Sequence, residues 1–317
     1  MLEFNIQKPL KGLHDWNQPF YDSHLHVWEA DSFKTFLREA KRFGDYQGTL
    51  IAQPAIKAII EDQFSTEQFV FAYYLSVKAF GEYNITTLLS QVDEAHEQGY
   101  KVAKMWFAPR FQDYTNVNER FWFSSDQLSP VFDRIEDYGL VALIHVADPD
   151  ITYKKNYSDS PDYYGSKNSK VAELEHLLDA HPKLEVISAH LGSLPEDLPK
   201  LGHLLDKFPN LMVDTASTRW MVRELGHNIG KTQEWLEKYK ERILLGTDLS
   251  VGGKNTDVSY YLTRIWSQRI FWETNEVAPL PFSDSDNPSG TTIHGLGLPQ
   301  DVLERLYYQN AHTLFFQ

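Results

Sequence analysis

The chain has 317 residues, of which 42% are hydrophobic, and it carries a formal net charge of −14. This acidic balance argues against nucleic acids and anionic membrane surfaces as partners, because both require a basic binding surface. The chain contains no cysteine, which excludes disulfides and thiolate metal sites. Any metal must therefore be held by His, Asp, Glu or a modified lysine, which suits Zn, Mn or Fe.

The amino-terminal residues lack the apolar core of a signal peptide, and no run approaches the roughly 20 apolar residues of a membrane span. We therefore expect a cytoplasmic protein that acts on a small molecule, with no membrane or nucleic-acid partner. The oligomeric state stays open, with a homo-oligomer as one alternative.

Short apolar runs alternate with amphipathic segments along the whole chain. Several of these runs are apolar almost throughout, as is typical of parallel strands that are buried on both faces. The predicted strands are YDSHLHV (21–27), GTLIAQ (48–53), FVFAYYL (69–75), VAKMWF (102–107), LVALIHV (140–146), LEVISAH (184–190), LMVDTA (211–216) and RILLGTD (242–248).

Helix-like segments separate these strands and end at Gly or Pro, which commonly follow a helix. They cover 85–99, 129–139, 168–182 and 195–209, and a closing helix covers 298–316. Alternation of eight strands with helices predicts an α/β fold, a single TIM-like (β/α)8 barrel that spans residues 1–317. An open doubly wound sheet is the alternative, but eight strands within about 230 residues suit closure better.

Three connections, 108–128, 147–167 and 249–297, are longer than the usual few residues. All three leave the carboxyl ends of predicted strands, where barrel enzymes build their active sites. We expect them to form lids or pocket walls, with the last one partly helical around VSYYLTRIWSQRIFWET.

Polar residues occur at the carboxyl ends of several predicted strands. His24 and His26 project from one face of the first strand, because alternate residues of a strand point the same way. His145, His190 and Asp248 lie at the ends of the fifth, sixth and eighth strands. Each of these alone could be a core residue or a helix cap. Together they predict a cluster of metal ligands, because buried polar groups are costly without partners.

The ordered set HLH, LIHV, SAHLG and LGTD resembles the amidohydrolase superfamily. The resemblance is to the amidohydrolase-related branch, which includes aminocarboxymuconate-semialdehyde decarboxylase and resorcylate decarboxylases. The segment GLPQDVLERLYYQNAHTLF is similar to the usual ending of that branch.

This resemblance implies that His24, His26, His145 and Asp248 are metal ligands. It also implies a catalytic role for His190 beside the metal and for Asp248 in proton transfer. The expected cofactor is one divalent ion, Zn²⁺ in the first place, with Mn²⁺ or Fe²⁺ as alternatives.

Further residues are predicted to bind substrate. Lys104 lies on strand four, where binuclear members of the superfamily carry a carboxylated lysine, although this branch usually works with one metal. Arg110 and Arg219 could each clamp a carboxylate, or form a surface salt bridge instead. Trp106 could wall the pocket, and His294 could reach it from the last long connection.

The predicted function is a metal-dependent hydrolase that uses a metal-activated water to cleave a C–N or C–O bond of a small carboxylated or cyclic metabolite. The alternative is a nonoxidative decarboxylase of an aromatic or muconate-like acid, and a third reading is a binding protein without catalysis. Both reactions would use the same residues, so the sequence does not separate them.

Overall fold

A computed structural model describes residues 2–115 and 120–317. The chain divides into two compact units, one of Met1–Val70 with Asp214–Gln317 and one of Phe71–Val213. Within the predicted connection 108–128, residues 116–119 lie outside the described part. Among the helices of the described residues, none is both long enough and apolar enough to cross a membrane.

The strands alternate with helices for most of the chain. In chain order they are β1 (Phe20–Val27), β2 (Tyr46–Ile51), β3 (Phe69–Tyr74), β4 (Val102–Trp106), β5 (Val141–His145), β6 (Val186–Ser188), β7 (Leu211–Asp214), β8 (Ile243–Leu244), β9 (Leu249–Val251), β10 (Val277–Pro279) and β11 (Thr292–His294).

The helices between them vary from one turn to more than four turns. They are α1 (Ala30–Ala40), α2 (Pro54–Gln63), α3 (Val77–Gly81), α4 (Ile85–Glu97), α5 (Ser129–Asp137), α6 (Asp150–Asn156), α7 (Pro161–Tyr164), α8 (Lys167–Ala180), α9 (Ala189–Gly192), α10 (Leu198–Lys207), α11 (Thr218–Glu224), α12 (Ile229–Lys238), α13 (Val258–Glu273), α14 (Gln300–Glu304) and α15 (Asn310–Phe316). A π-helical segment, Arg305–Gln309, joins the last two.

In the first unit, β1 lies between β2 and β9 and is parallel to both. The register between β1 and β2 shifts between Asp22 and Leu25. Within this bulge the Ser23 amide donates to the Leu245 carbonyl at 2.8 Å, and the Asp248 amide donates to the His24 carbonyl at 2.9 Å. The bulge therefore brings the backbone of Asp248 alongside His24.

Two glycines allow this close packing. A Cβ atom at Gly246 would lie 3.2 Å from the Cβ atom of His24, and one at Gly48 would lie 2.5 Å from the Asp22 carbonyl oxygen. Residue 48 therefore has to lack a side chain for the backbone to approach the bulge on β1, and a side chain at residue 246 would require its neighbours to shift slightly.

The Asp22 carboxylate is fully buried and links three segments of the first unit. Its Oδ1 accepts hydrogen bonds from the amides of His24 and Thr247, both at 3.0 Å. Its Oδ2 accepts from the hydroxyls of Tyr46 and Thr247. Burial raises the pKa of Asp22 to about 6, and these hydrogen bonds oppose the rise. One side chain thus ties β1 to β2 and to the segment before Asp248.

The second unit contains most of β3 and all of β4, β5 and β6, which pair in parallel in that order, and β7 follows β6. Lys104 lies opposite Leu143 in the register of β4 and β5, and Trp106 lies opposite His145. Helices α4 and α10 begin at capping side chains, because Asn84 and Asp197 each accept a hydrogen bond from a first-turn amide. The pairing of β4 with β5 fixes the position of His145 at the end of β5, opposite Trp106.

All eight predicted strands are present, but seven of them end earlier than the sequence indicates, by one to four residues. The sixth stops at Ser188, so the prediction that it continues to His190 is wrong. His190 has a φ of 60° and Leu191 a φ of 51°, values that end strand pairing. The eighth is only Ile243–Leu244, and Asp248 has a φ of 55°. The strand β9 that follows was not predicted.

The long connections contain regular structure. Residues 147–167 include α6 and α7, and residues 249–297 include β9, α13 and the antiparallel pair of β10 and β11. The predicted helix around VSYYLTRIWSQRIFWET is confirmed as α13. That residues 1–317 form one domain, with these connections over the active-site face, stays a prediction.

We predict that Asp22→Ala lowers the free energy of unfolding by about 3 kcal/mol or more, because it leaves several buried donors without an acceptor. Tyr21→Phe is the matched control, since it removes a single neutral hydrogen bond from β1, to Thr49 at 3.0 Å. It should cost about 1 kcal/mol. Urea denaturation followed by circular dichroism measures both, and equal losses would contradict the role assigned to Asp22.

Candidate metal centre

His24, His26 and Asp248 meet in the first unit, as the sequence predicts. Their ligand atoms all lie within 4.8 Å of one another. The Nε2 atoms of both histidines are 3.6 Å from Asp248 Oδ1. His24 is buried, whereas the side chain of Asp248 is 31% exposed. His24 is therefore enclosed by the protein, whereas a substrate could reach the side chain of Asp248.

Asp214 fixes the tautomer of His24. The Oδ2 atom of Asp214 lies 2.8 Å from His24 Nδ1, and both side chains are buried. A carboxylate only accepts hydrogen bonds, so Nδ1 carries the proton and Nε2 keeps its lone pair for a metal. The other oxygen of Asp214 accepts from the Ala216 amide at 3.1 Å, which holds the carboxylate in place.

This donor set fits a divalent ion. Two imidazole nitrogens and one carboxylate oxygen are ligands typical of Zn, Mn and Fe sites. Asp248 adopts a left-handed backbone conformation, which non-glycine residues rarely adopt outside functional or tightly constrained positions. The amide of Asp248 donates to the His24 carbonyl, so backbone and side chain together direct this carboxylate toward the histidines.

A polar cavity of about 220 Å³ opens beside Asp248. Hydroxyl and guanidinium groups supply much of its lining, and Arg219, a predicted substrate-binding residue, is among them. Residues from α13 and from the loop after β10 complete the wall. The lining residues are Ser217, Thr218, Arg219, Thr247, Asp248, Tyr260, Arg264, Phe282 and Ser283.

His145 and His190 meet in the second unit. His190 Nε2 lies 3.1 Å from His145 Nδ1, and His145 Nε2 lies 3.0 Å from Asp148 Oδ1. The Tyr157 hydroxyl donates to Asp148 Oδ2 at 2.9 Å. Burial and the charge of Asp148 raise the pKa of Tyr157, which keeps this hydroxyl protonated as a donor. Tyr157, Asp148, His145 and His190 thus form one hydrogen-bonded row.

The turn that carries His190 is held to the segment after β5. Ser193, which also has a left-handed φ of 63°, accepts a hydrogen bond from the Ala147 amide at 3.0 Å and donates one to the Ala147 carbonyl. His190 itself is 1% exposed. The position of its ring is therefore determined by the backbone as well as by His145.

The remaining predicted substrate residues have different surroundings. Lys104 is buried on β4. Trp106 borders a cavity of about 620 Å³ together with Tyr74, Val77 and Tyr114, and its ring meets that of His145 edge-on.

Arg110 and His294 lie at the surface. The Arg110 side chain is 64% exposed and lies 3.7 Å from Asp113, and His294 is exposed on β11. His294 is not one of the described residues that line the cavity beside Asp248. The substrate-binding roles of these residues stay predictions.

Several residues of these sites were not predicted from the sequence. Asp214 lies two residues before the end of a predicted strand, LMVDTA, and that position was a usable signal. Asp148 follows His145 by three residues, in HVAD. Tyr260 and Arg264 lie in the long connection 249–297, which was expected to wall the pocket, but no motif marks these individual side chains.

The amidohydrolase family model matches residues 84–317, which is more than half of the chain. The chain belongs to the amidohydrolase family. The matched range of this family member contains His145, His190 and Asp248, whereas His24 and His26 precede it. A search of curated protein sequences found no match.

Solved structures show the fold of this amidohydrolase. An uncharacterized TIM-barrel protein from Bordetella bronchiseptica is 12% identical, with a TM-score of 0.55 over 94% of this chain and 98% of that chain. A probable 2-pyrone-4,6-dicarboxylic acid hydrolase from Acinetobacter baumannii is 12% identical, with a TM-score of 0.54 over 93% and 98%. A 2,6-dihydroxybenzoate decarboxylase from Rhizobium is 11% identical, with a TM-score of 0.54 over 95% and 99%. The predicted TIM-like barrel is confirmed.

We predict that His24→Ala and Asp248→Ala abolish retention of a divalent ion, because each removes one of three converging ligands. Elemental analysis of the protein after dialysis measures the bound metal. His227→Ala is the control, since the His227 side chain is 74% exposed, and it should retain the ion. Full metal content in both ligand variants would contradict the assignment.

We also predict that Asp214→Asn weakens metal affinity by about 10- to 100-fold without abolishing binding, because it disturbs the tautomer and orientation of His24. Competition with a chelator measures the affinity. An unchanged affinity would show that the hydrogen bond between Asp214 and His24 does not support the metal ligand.

Proposed function

We propose that this amidohydrolase is a metal-dependent hydrolase that cleaves a C–N or C–O bond of a small carboxylated or cyclic metabolite. The observation that supports this most directly is the convergence of His24, His26 and Asp248, with Asp214 fixing the tautomer of His24. We propose one ion per chain, Zn²⁺ in the first place, with Mn²⁺ or Fe²⁺ suited to the same donors. From the sequence resemblance alone, His145 is proposed as a fourth ligand.

Each residue has a distinct task in this proposal. When bound, a divalent ion supplies a Lewis acid and lowers the pKa of a coordinated water toward about 7. His24 and His26 contribute neutral imidazole nitrogens. Asp248 Oδ1 faces both histidines, and the second carboxylate oxygen can take the proton of the attacking water and return it to the leaving group.

His190 is proposed to stabilise the developing oxyanion or to transfer a proton, as the family resemblance implies. Its buried ring and its contact with His145 Nδ1 restrict its orientation. A fixed donor is effective in this role because it needs no reorganisation when charge develops.

A nonoxidative decarboxylase is the second candidate function. The 2,6-dihydroxybenzoate decarboxylase and the pyrone dicarboxylic acid hydrolase have the same TM-score to this chain, 0.54. The hydroxyl-rich lining of the cavity beside Asp248 suits a small polar acid, which is a substrate for either reaction. Hydrolysis stays the leading proposal because the proposed ligand set suits the activation of a water molecule. A binding protein without catalysis is the third reading, and absence of turnover across a broad substrate panel would favour it.

The two reactions differ in where solvent atoms enter the product. Metal-loaded protein should be incubated with small lactones, amides and aromatic acids in ¹⁸O-labelled or deuterated water. Hydrolysis places ¹⁸O in the new carboxylate and releases no carbon dioxide, which is the result we expect. Release of carbon dioxide, with deuterium on the carbon that carried the carboxylate, would establish the decarboxylase instead.

We predict that His190→Asn lowers kcat by about 10²–10⁴-fold while metal content and folding stay close to those of the native protein. Steady-state kinetics, elemental analysis and circular dichroism measure the three quantities. Loss of the metal would make His190 a ligand. A nearly normal rate would show that the histidine serves only the turn between β6 and α10.

A further inference from the structure

Arg264 lies in an unusual environment on α13. Its guanidinium carbon is 3.8 Å from the centre of the Tyr260 ring and 4.1 Å from the centre of the Phe282 ring. Its Nη1 donates to the Tyr260 carbonyl at 3.0 Å. The rings hold the guanidinium in place but offer no strong acceptor, so most of its N–H donors are not used by this contact.

Arg219 lines the same cavity, and it likewise has no acidic partner among the described residues. Its Nη1 donates to the Ser285 hydroxyl at 3.0 Å, and its guanidinium lies 5.7 Å from the centre of the Trp220 ring. In the described part of the chain, neither Arg219 nor Arg264 forms an ion pair with Asp or Glu.

Other arginines of this unit are paired. Arg223 lies 2.7 Å from Asp284, and Arg269 lies 2.5 Å from Glu273. Arg223 and Arg269, which are buried, thus each have an acidic partner. Within the described residues, Arg219 and Arg264, which line the cavity beside Asp248, have no such partner.

The cavity brings these two cations close enough to affect each other. Burial, and to a smaller extent the charge of Arg219, lower the pKa of Arg264 to about 10, whereas Tyr260 opposes the change. Arg264 therefore remains a cation at neutral pH. A bound anion would relieve the repulsion between the two guanidinium groups.

We propose that Arg219 and Arg264 together form the subsite that binds a carboxylate of the substrate. The planar guanidinium pairs with a carboxylate through parallel hydrogen bonds, and Ser217 and Ser283 supply further hydroxyl groups at the cavity wall. This inference deepens the proposed function and rests on it, because the cavity that holds both arginines is also lined by Asp248.

The size of the cavity narrows the ligand class. At about 220 Å³ it is smaller than the roughly 300–1,000 Å³ of sites that bind drug-sized molecules. The subsite therefore fits a short aliphatic or single-ring carboxylic acid, whose carboxylate meets the two arginines while its reactive bond lies toward Asp248.

The test measures binding rather than turnover. Succinate is titrated by calorimetry into the full-length protein as purified and after removal of metal, with its diamide, succinamide, as the uncharged probe. We expect succinate to bind and succinamide to bind at least about 10-fold more weakly. Arg219→Gln and Arg264→Gln should each weaken succinate binding by about 10- to 100-fold.

Two further variants show whether succinate binding depends on the guanidinium group of Arg264 or only on positive charge. Arg264→Lys keeps the charge but loses the planar fork, and it should bind succinate with an intermediate affinity. Arg305→Gln removes one positive charge elsewhere in the same unit, where Arg305 pairs with Glu241, and it should bind like the native protein. Circular dichroism checks that each variant is folded.

The outcomes are distinguishable. Equal binding of succinate and succinamide, or unchanged affinity in the folded Arg219→Gln and Arg264→Lys variants, would overturn the subsite while leaving the metal assignment intact. Tighter binding of inorganic phosphate than of succinate would overturn the carboxylate class. Native protein that binds succinate through these arginines but holds no metal would support the subsite and contradict the proposed function.

Discussion

The carboxylate of Asp22 is buried at the bulge of β1 and accepts hydrogen bonds from two backbone amides and two hydroxyl groups. Burial of a charged group is costly, and the pKa of about 6 records that cost. The cost is offset by the four accepted hydrogen bonds, and three of these connect β1 to other segments, namely β2 through Tyr46 and the segment before Asp248 through Thr247. His24 follows Asp22 by two residues and Asp248 follows Thr247 by one. The proposed metal ligands His24 and Asp248 thus owe their relative positions to a residue that does not itself belong to the ligand group.

A second buried carboxylate, that of Asp214, orients the ring of His24 for its proposed role as a ligand. Asp214 accepts a hydrogen bond from Nδ1 of His24, so the lone pair on Nε2 of that ring is directed toward Asp248. Three aspartates of the first unit, Asp22, Asp214 and Asp248, therefore have different tasks, and each task follows from the surroundings of the side chain. Asp22 is enclosed and joins backbone segments, Asp214 is enclosed and orients a ring, and Asp248 is partly open and can meet a substrate. Exposure and partners, rather than residue type, decide which of them can take part in a reaction.

Periodicity and strand-end position were sufficient to predict the barrel, its eight main strands and the convergence of His24, His26 and Asp248. These features depend on the alternation of side chains along a strand, which is a local property of the sequence. The end of β6 was misplaced because the apolar run LEVISAH does not reveal that His190 and Leu191 adopt left-handed conformations, and the left-handed Asp248 after β8 was not foreseen either. Arg264 was missed for a related reason. Its proposed role rests on its having no acidic partner among the described residues, and that becomes visible only when the packing around Tyr260 and Phe282 is known.

The left-handed backbone at position 248 has a consequence for how this site could change over time. Among residues other than glycine, Asn and Asp tolerate that conformation best, because their short side chains form local hydrogen bonds. The substitution with the least structural cost is therefore Asp to Asn, which keeps the fold and removes the negative charge. In the proposed mechanism, a single such replacement would remove the group that takes the proton of the water and would leave the backbone of the site in place. The identity of residue 248 would thus mark which chains of this kind keep the proposed proton acceptor.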